Sequence, residues 1–189
     1  QITVELRSDK SSGFITYGNS VSVVPGAMGD IVFRCDNPRD AGVYGSVQEK
    51  IRVRVDGVDA NYTIDLYAIA VDNFDLVDDI SAPKLVISKN IIKFGEVKCA
   101  KSQYADRLTI NNYGGSRLEV RRVEVSSEAL CCEVFGDGAE SEESVEVVVR
   151  LDSSKIVDPD EIFTARIRII TNDPVRPMQT VRVTAIPMW

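Results

Sequence analysis

The sequence predicts an all-β protein made of two tandem immunoglobulin-like antiparallel β-sandwich domains, and three observations predict it. Apolar residues recur at every second position: Ile51, Val53 and Val55 alternate with Arg52, Arg54 and Asp56, and Val145, Val147, Val149 and Leu151 alternate with Glu146, Arg150 and Asp152. Successive strand side chains point to opposite faces of a sheet, so each run describes a strand with one face in a core and one in water. The runs are short and are separated by Gly, Pro, Asn and Asp, as in an antiparallel sandwich. No stretch carries the apolar spacing of an amphipathic helix.

In the first half, Ile2, Val4 and Leu6 open a strand over residues 2–7, followed by strands at 14–17, 20–24 and 30–35. The Ile51 run sets a strand at 48–56. The apolar stretch 62–71, interrupted by Asp65, sets the sixth. In the second half, strands are expected at 91–97, 104–111, 117–125, 131–135, 144–152, 163–171 and 179–186. Ala165, Ile167 and Ile169 alternate with Thr164, Arg166 and Arg168, and Val181 and Val183 flank Arg182. The strand at 117–125 changes phase, because Leu118 and Val120 have the opposite parity to Val123 and Val125. One extra residue at Arg121-Arg122 restores the core face, so a β-bulge is expected there.

Polarity rises over residues 72–83 and Pro83 closes the segment, which divides the chain into domains 1–80 and 81–189. Phe74, Leu76, Val77 and Ile80 are too apolar for a freely flexible linker and are expected to pack at the junction. The second domain counts seven strands, the number of an immunoglobulin-type sandwich. The first counts six, two of them short, and reads either as missing strands at its N-terminus or as a smaller variant.

Composition excludes several functions. The chain has 189 residues, enough for two domains of ordinary size, and 44% hydrophobic with 27% charged residues is globular. A net charge of −7 argues against nucleic-acid binding, which needs surplus cations on phosphates. There is no histidine, which removes histidine bases, Ser-His-Asp and Cys-His nucleophiles, and most zinc geometries. No enzyme activity, cofactor or metal is expected. No apolar run approaches the roughly 20 residues of a membrane span. The chain begins at Gln1 directly in a strand pattern, the look of a mature chain whose targeting segment has been left out.

A series of motifs runs through the second half: Phe94-Gly95-Glu96-Val97, Leu108-Thr109-Ile110-Asn111-Asn112-Tyr113-Gly114, Leu118, and Ile170-Thr171-Asn172-Asp173-Pro174-Val175-Arg176-Pro177. This series resembles the bacterial exported family known as domain of unknown function 1573, a relative of the Hydin-type immunoglobulin-like domains. The resemblance spans about residues 84–186, and residues 20–71 share it through Val24-Pro25-Gly26 and the stretch 62–71. It implies secretion to the periplasm or cell surface and a binding role, with no catalytic residues to carry over. The motifs have structural reasons. Asn-x-Gly is expected to place a φ > 0 residue in a hairpin, and Thr-Asn-Asp-Pro to turn the chain between the last two strands.

Four cysteines lack the paired spacing of a zinc or redox site. Free thiols or one disulfide is expected, with Cys99 and Cys131 or Cys132 as the candidate pair, because those strand ends meet at one pole of the sandwich. Cys35 is expected to face inward with Ile31 and Phe33. Two acidic clusters, Asp72, Asp75, Asp78 and Asp79, and Asp158, Asp160 and Glu161, lack the spacing of a calcium loop and read as solvated turns, as does the run Glu140, Glu142 and Glu143. Arg166, Arg168 and Arg182 point outward by parity, and Arg121 or Arg122 joins them from a strand of the same sheet, giving a candidate basic surface on an acidic protein.

The last strand, with no charge block or proline over 179–186, is expected to be an open edge that mediates weak self-association, helped by Met188 and Trp189. The function expected is a non-catalytic exported binding or structural module of the cell envelope, acting on an unidentified protein partner. The alternative is an accessory module of a carbohydrate-handling system, which would show exposed Trp or Tyr coplanar on one face.

Overall fold

The computed structural model describes residues 1–8, 15–35, 42–74, 81–98, 103–158 and 160–188. The chain forms two compact units, Gln1–Asn73 and Phe74–Trp189. Apart from one short 3-10 turn, every regular element described is a β-strand.

The first unit contains β1 (Ile2–Ser8), β2 (Ile15–Tyr17), β3 (Ser20–Val23), β4 (Phe33–Cys35), β5 (Gly45–Val55) and β6 (Val58–Ala70). One sheet has the order β3-β1-β5-β6, and β2 and β4 form a two-stranded ribbon. β5 and β6 make a hairpin through Asp56-Gly57, both at positive φ (48° and 80°), as a two-residue turn between twisted strands requires. Near the turn β6 bulges: Asn61, also at positive φ, donates its N–H to Asp59 Oδ1 at 2.8 Å. The buried face is formed by Leu6, Ile15, Val47 and Ile51, with Glu49 buried on the same side of β5. The expected inward orientation of Cys35 does not hold: Phe33 is half-buried and packs on Tyr17, but Cys35 is exposed. Its strand is only three residues long and pairs with β2 alone, and parity has little force in so short a two-stranded ribbon.

The second unit is an immunoglobulin-like sandwich. Its strands are β7 (Leu85–Ile87), β8 (Ile91–Lys98), β9 (Gln103–Asn112), β10 (Leu118–Val125), β11 (Leu130–Phe135), β12 (Gly138–Ala139), β13 (Ser144–Asp152), β14 (Phe163–Thr171) and β15 (Met178–Met188), with a 3-10 turn at Ser153–Lys155. A five-stranded sheet, β12-β10-β14-β15-β8, faces a four-stranded one, β11-β13-β9-β7. Ile92, Leu118, Ile167, Ile169, Val181 and Val183 from the first sheet meet Leu85, Leu108, Ile110, Val147, Val149 and Leu151 from the second, all fully buried or nearly so. Each such side chain contributes about 1.5–3 kcal/mol relative to exposure. β7 and β12 escape the sequence pattern because two or three residues are too few to show a period.

The bulge in β10 is present. Its register with β14 shifts between Val120 and Arg122, leaving Arg121 as the extra residue. Val120 and Val123 thereby both pack against the core, whereas Val125, at the strand end, is exposed.

Two expectations need correction. β15 is not an edge strand: it pairs antiparallel with β14 and in parallel with β8, so its backbone groups face neighbours on both sides. β8 covers the edge that was expected to be open. The Asn-x-Gly motif does not turn a hairpin either, because β9 and β10 belong to different sheets. Asn112 instead closes the crossover. Its Oδ1 accepts the N–H groups of Gly114 (2.9 Å) and Lys84 (3.1 Å), and its Nδ2 donates to Ser116 O (2.8 Å) and Ala139 O (3.1 Å). Gly114 is required by close packing: a Cβ there would lie 2.2 Å from Ala82 O. The Thr-Asn-Asp-Pro segment does connect β14 to β15. Within it, buried Asp173 accepts from the backbone of Leu85, Val175 and Arg176 at 2.7, 2.8 and 2.9 Å.

Candidate binding face

The outward residues of β14 and β15 follow from their alternation. Ala165, Ile167 and Ile169 enter the core, so Thr164, Arg166 and Arg168 face out; Val181 and Val183 enter it, so Thr180, Arg182 and Thr184 face out. The antiparallel register aligns these residues in rows: Thr164 opposite Thr184, Arg166 opposite Arg182, and Arg168 opposite Thr180. β8 extends the rows by one strand, placing Lys93 beside Thr184 and Ile91 beside Arg182. On the other side, Glu124 of β10 lies opposite Arg168.

The five arginines of the expected basic surface divide into two groups. Glu124 accepts from Arg168 at 2.9 Å and pairs with Arg122 Nε at 3.0 Å, and Arg121 pairs with Glu119. Each of those three cations therefore has a carboxylate partner, Glu124 serving two of them, and they do not join a free basic stripe. Arg166 and Arg182 are exposed, directly opposed across the ladder, and have no ion-pair partner among the described residues; the same holds for exposed Lys93. Backbone bonds fix this row. Arg166 N–H donates to Ser126 Oγ at 2.9 Å, and Ser126 N–H donates to Arg166 O at 3.0 Å. Like charges facing each other on a strand pair oppose folding by up to about 1 kcal/mol. Lys93 was not among the sequence-derived candidates: its outward parity is legible, but its place beside β15 depends on a long-range parallel pairing.

Among the described residues, the remaining candidates do not assemble into a site. Cys131 and Cys132 are free thiols on opposite faces of β11, the first exposed and the second packed against the core; Cys99 lies outside the described residues. Burial, with the neighbouring Cys131, pushes the Cys132 thiol up to about 12. Asp72 accepts from Tyr44 Oη at 2.9 Å, while Asp75, Asp78 and Asp79 lie outside the described residues. Asp158, Asp160 and Glu161 form an exposed turn, with Asp160 N–H donating to Asp158 Oδ1 at 3.1 Å. Glu140 pairs with Arg117 at 2.7 Å, and Glu142 and Glu143 are exposed beside it. Among the described residues, no three His, Cys, Asp or Glu side chains are placed to share a metal ion. Exposed Tyr62 and Tyr67 lie on opposite faces of β6, five residues apart in unbroken register, so they form no common platform for a sugar ring.

No protein-family model and no curated protein matches the chain. Among solved structures, it is similar to a protein of unknown function from Porphyromonas gingivalis W83, with a TM-score of 0.69 and 15% identity, covering 97% of this chain and 84% of that one. This likeness shows a shared fold. The ASH / PapD-like domain of human CEP192 (TM-score 0.45, 11% identity, 64% of this chain and 97% of that one) is a more distant likeness. So is the periplasmic chaperone SfaE (0.43, 7%, 56% and 59%). Among the described residues, no helix is long and apolar enough to cross a membrane.

Proposed function

We propose that the protein is a non-catalytic binding module of the cell envelope, exported to the periplasm or cell surface, and that it binds another protein through the outer face of β14 and β15. The observation that carries this reading is the opposed pair Arg166 and Arg182, exposed and without acid partners among the described residues, on a chain of net charge −7. On the same sheet Arg121, Arg122 and Arg168 each pair with Glu119 or Glu124, whereas Arg166 and Arg182 oppose each other with no ion pair among the described residues, an arrangement that folding does not need. Guanidinium groups engage carboxylates in pairs of parallel hydrogen bonds, and the threonines that flank the row add neutral hydroxyls. The chemistry complementary to this face is an acidic protein segment. The motif series shared with the exported domain of unknown function 1573 family supports the envelope location.

The test compares the parent with an Arg166→Glu/Arg182→Glu variant in capture experiments from envelope extract. The parent is expected to retain a partner with an acidic segment, and the variant to lose it while keeping the parent's thermal midpoint. Equal capture by both proteins would place the contact elsewhere.

A further inference from the structure

The sheet edges of the two units differ in how they are protected. An edge strand exposes unpaired N–H and C=O groups, and proteins blunt it by shortness, lysines, prolines or bulges. In the second unit β7 has three residues and β12 two, and β8 carries exposed Lys93 and Lys98 with a register shift opposite Thr184 and Ile186. β11 has six residues, with exposed Glu133 at its centre. In the first unit β3 has four residues. β6 has thirteen, with neither Pro, Gly, Lys nor Arg; residues 62–70, whose one charge is exposed Asp65, lie in unbroken register with β5 over a longer run than any other edge strand described. Among the described residues, β5 is its one ladder neighbour. Every second residue of this stretch turns its N–H and C=O away from β5.

We propose that this edge binds a second copy of the chain, the two β6 strands pairing antiparallel about a two-fold axis through Leu66. Leu66 is the midpoint of 62–70, so this register alone pairs all of the unbroken stretch. It sets Ile64 opposite Ala68 of the other copy, extending the row of half-buried Ile64, Leu66 and Ala68, which lie across from buried Ile51, Glu49 and Val47 of β5. It sets Asp65 opposite Tyr67 of the other copy and brings no like charges into direct opposition. An axis through Asp65 would face two carboxylates. The contact is isologous, so it closes at a dimer and hides both edges at once. It is independent of the basic face, which belongs to the other unit.

Sedimentation velocity over a concentration series tests this arrangement through Tyr67, an exposed residue. The parent is expected to move from monomer to dimer with concentration. Tyr67→Lys places a cation opposite Asp65 of the other copy in two symmetry-related pairs and should tighten the dimer by a few-fold to about tenfold. Tyr67→Asp places a carboxylate there and should weaken it by a similar factor. Arg166→Glu/Arg182→Glu should leave the dimer unchanged. A parent that stays monomeric into the millimolar range overturns the proposal, as do Tyr67 variants that fold as the parent but shift the equilibrium equally or in the same direction.

Discussion

Asp173 and Asn112 hold the crossing loops of the sandwich together with side chains. Replacing Asp173 with Ala removes the acceptor of one buried backbone donor, on Leu85, and of two part-buried ones, on Val175 and Arg176. An orphaned buried donor costs about 1–3 kcal/mol and donors that water can reach cost less, so a loss of about 1–3 kcal/mol is expected in urea unfolding. A change below about 0.5 kcal/mol would remove Asp173 from this role. Cys132 gives a second prediction at this scale. Its thiol holds its proton to about 12 when folded, against an ordinary 9.0. The folded state therefore binds more protons than the unfolded one between these values. This contribution to stability is intact below pH 9 and is lost as pH rises towards 12. Under reducing conditions near pH 9, iodoacetamide should modify exposed Cys131 and Cys35 well before Cys132, read by peptide mass spectrometry; equal rates would show that Cys132 is not shielded. Both motifs that contain the closing residues stand out in the sequence, but the role of Asn112 does not. It depends on the backbone of Lys84 and Ala139, which are distant in the chain.

Strands were legible wherever alternation ran for at least four or five residues, and the bulge at Arg121 was legible because it interrupts a phase. Neighbourhood was not. The parallel pairing of β8 with β15 joins residues about ninety apart, and no local pattern records it. The last strand consequently looked like an open edge although it is enclosed. Thr184 sits between Thr164 and Lys93, so Thr184→Pro removes a ladder donor from an interior strand. A loss of about 3 kcal/mol or more is expected, with the second unit unfolding earlier in a thermal melt followed by circular dichroism. A fold-neutral substitution that altered only association would restore β15 to the role of an edge.

At the scale of the whole molecule, charge decides what each face can meet. The chain carries 29 acidic and 22 basic residues, and many of the basic ones are held by neighbouring carboxylates, as Arg117, Arg150 and Arg107 are. Arg166, Arg182 and Lys93 stand apart from this pattern on one sheet face. Parity places the two arginines there from the sequence, but that they lack acid partners among the described residues follows only from the register of β10 against β14. Long-range attraction between this face and an acidic partner is screened over about 8 Å at physiological salt, so binding should weaken steeply as salt rises. The most direct measurement is a nuclear magnetic resonance titration of isotope-labelled protein with a short polyglutamate peptide, at low and high salt. Shifts are expected only in the neighbourhood of Arg166, Arg182, Lys93, Thr164 and Thr184, reduced by salt and abolished in Arg166→Glu/Arg182→Glu. Shifts centred elsewhere, or a charge-reversed variant that binds as the parent does, would contradict binding through this face.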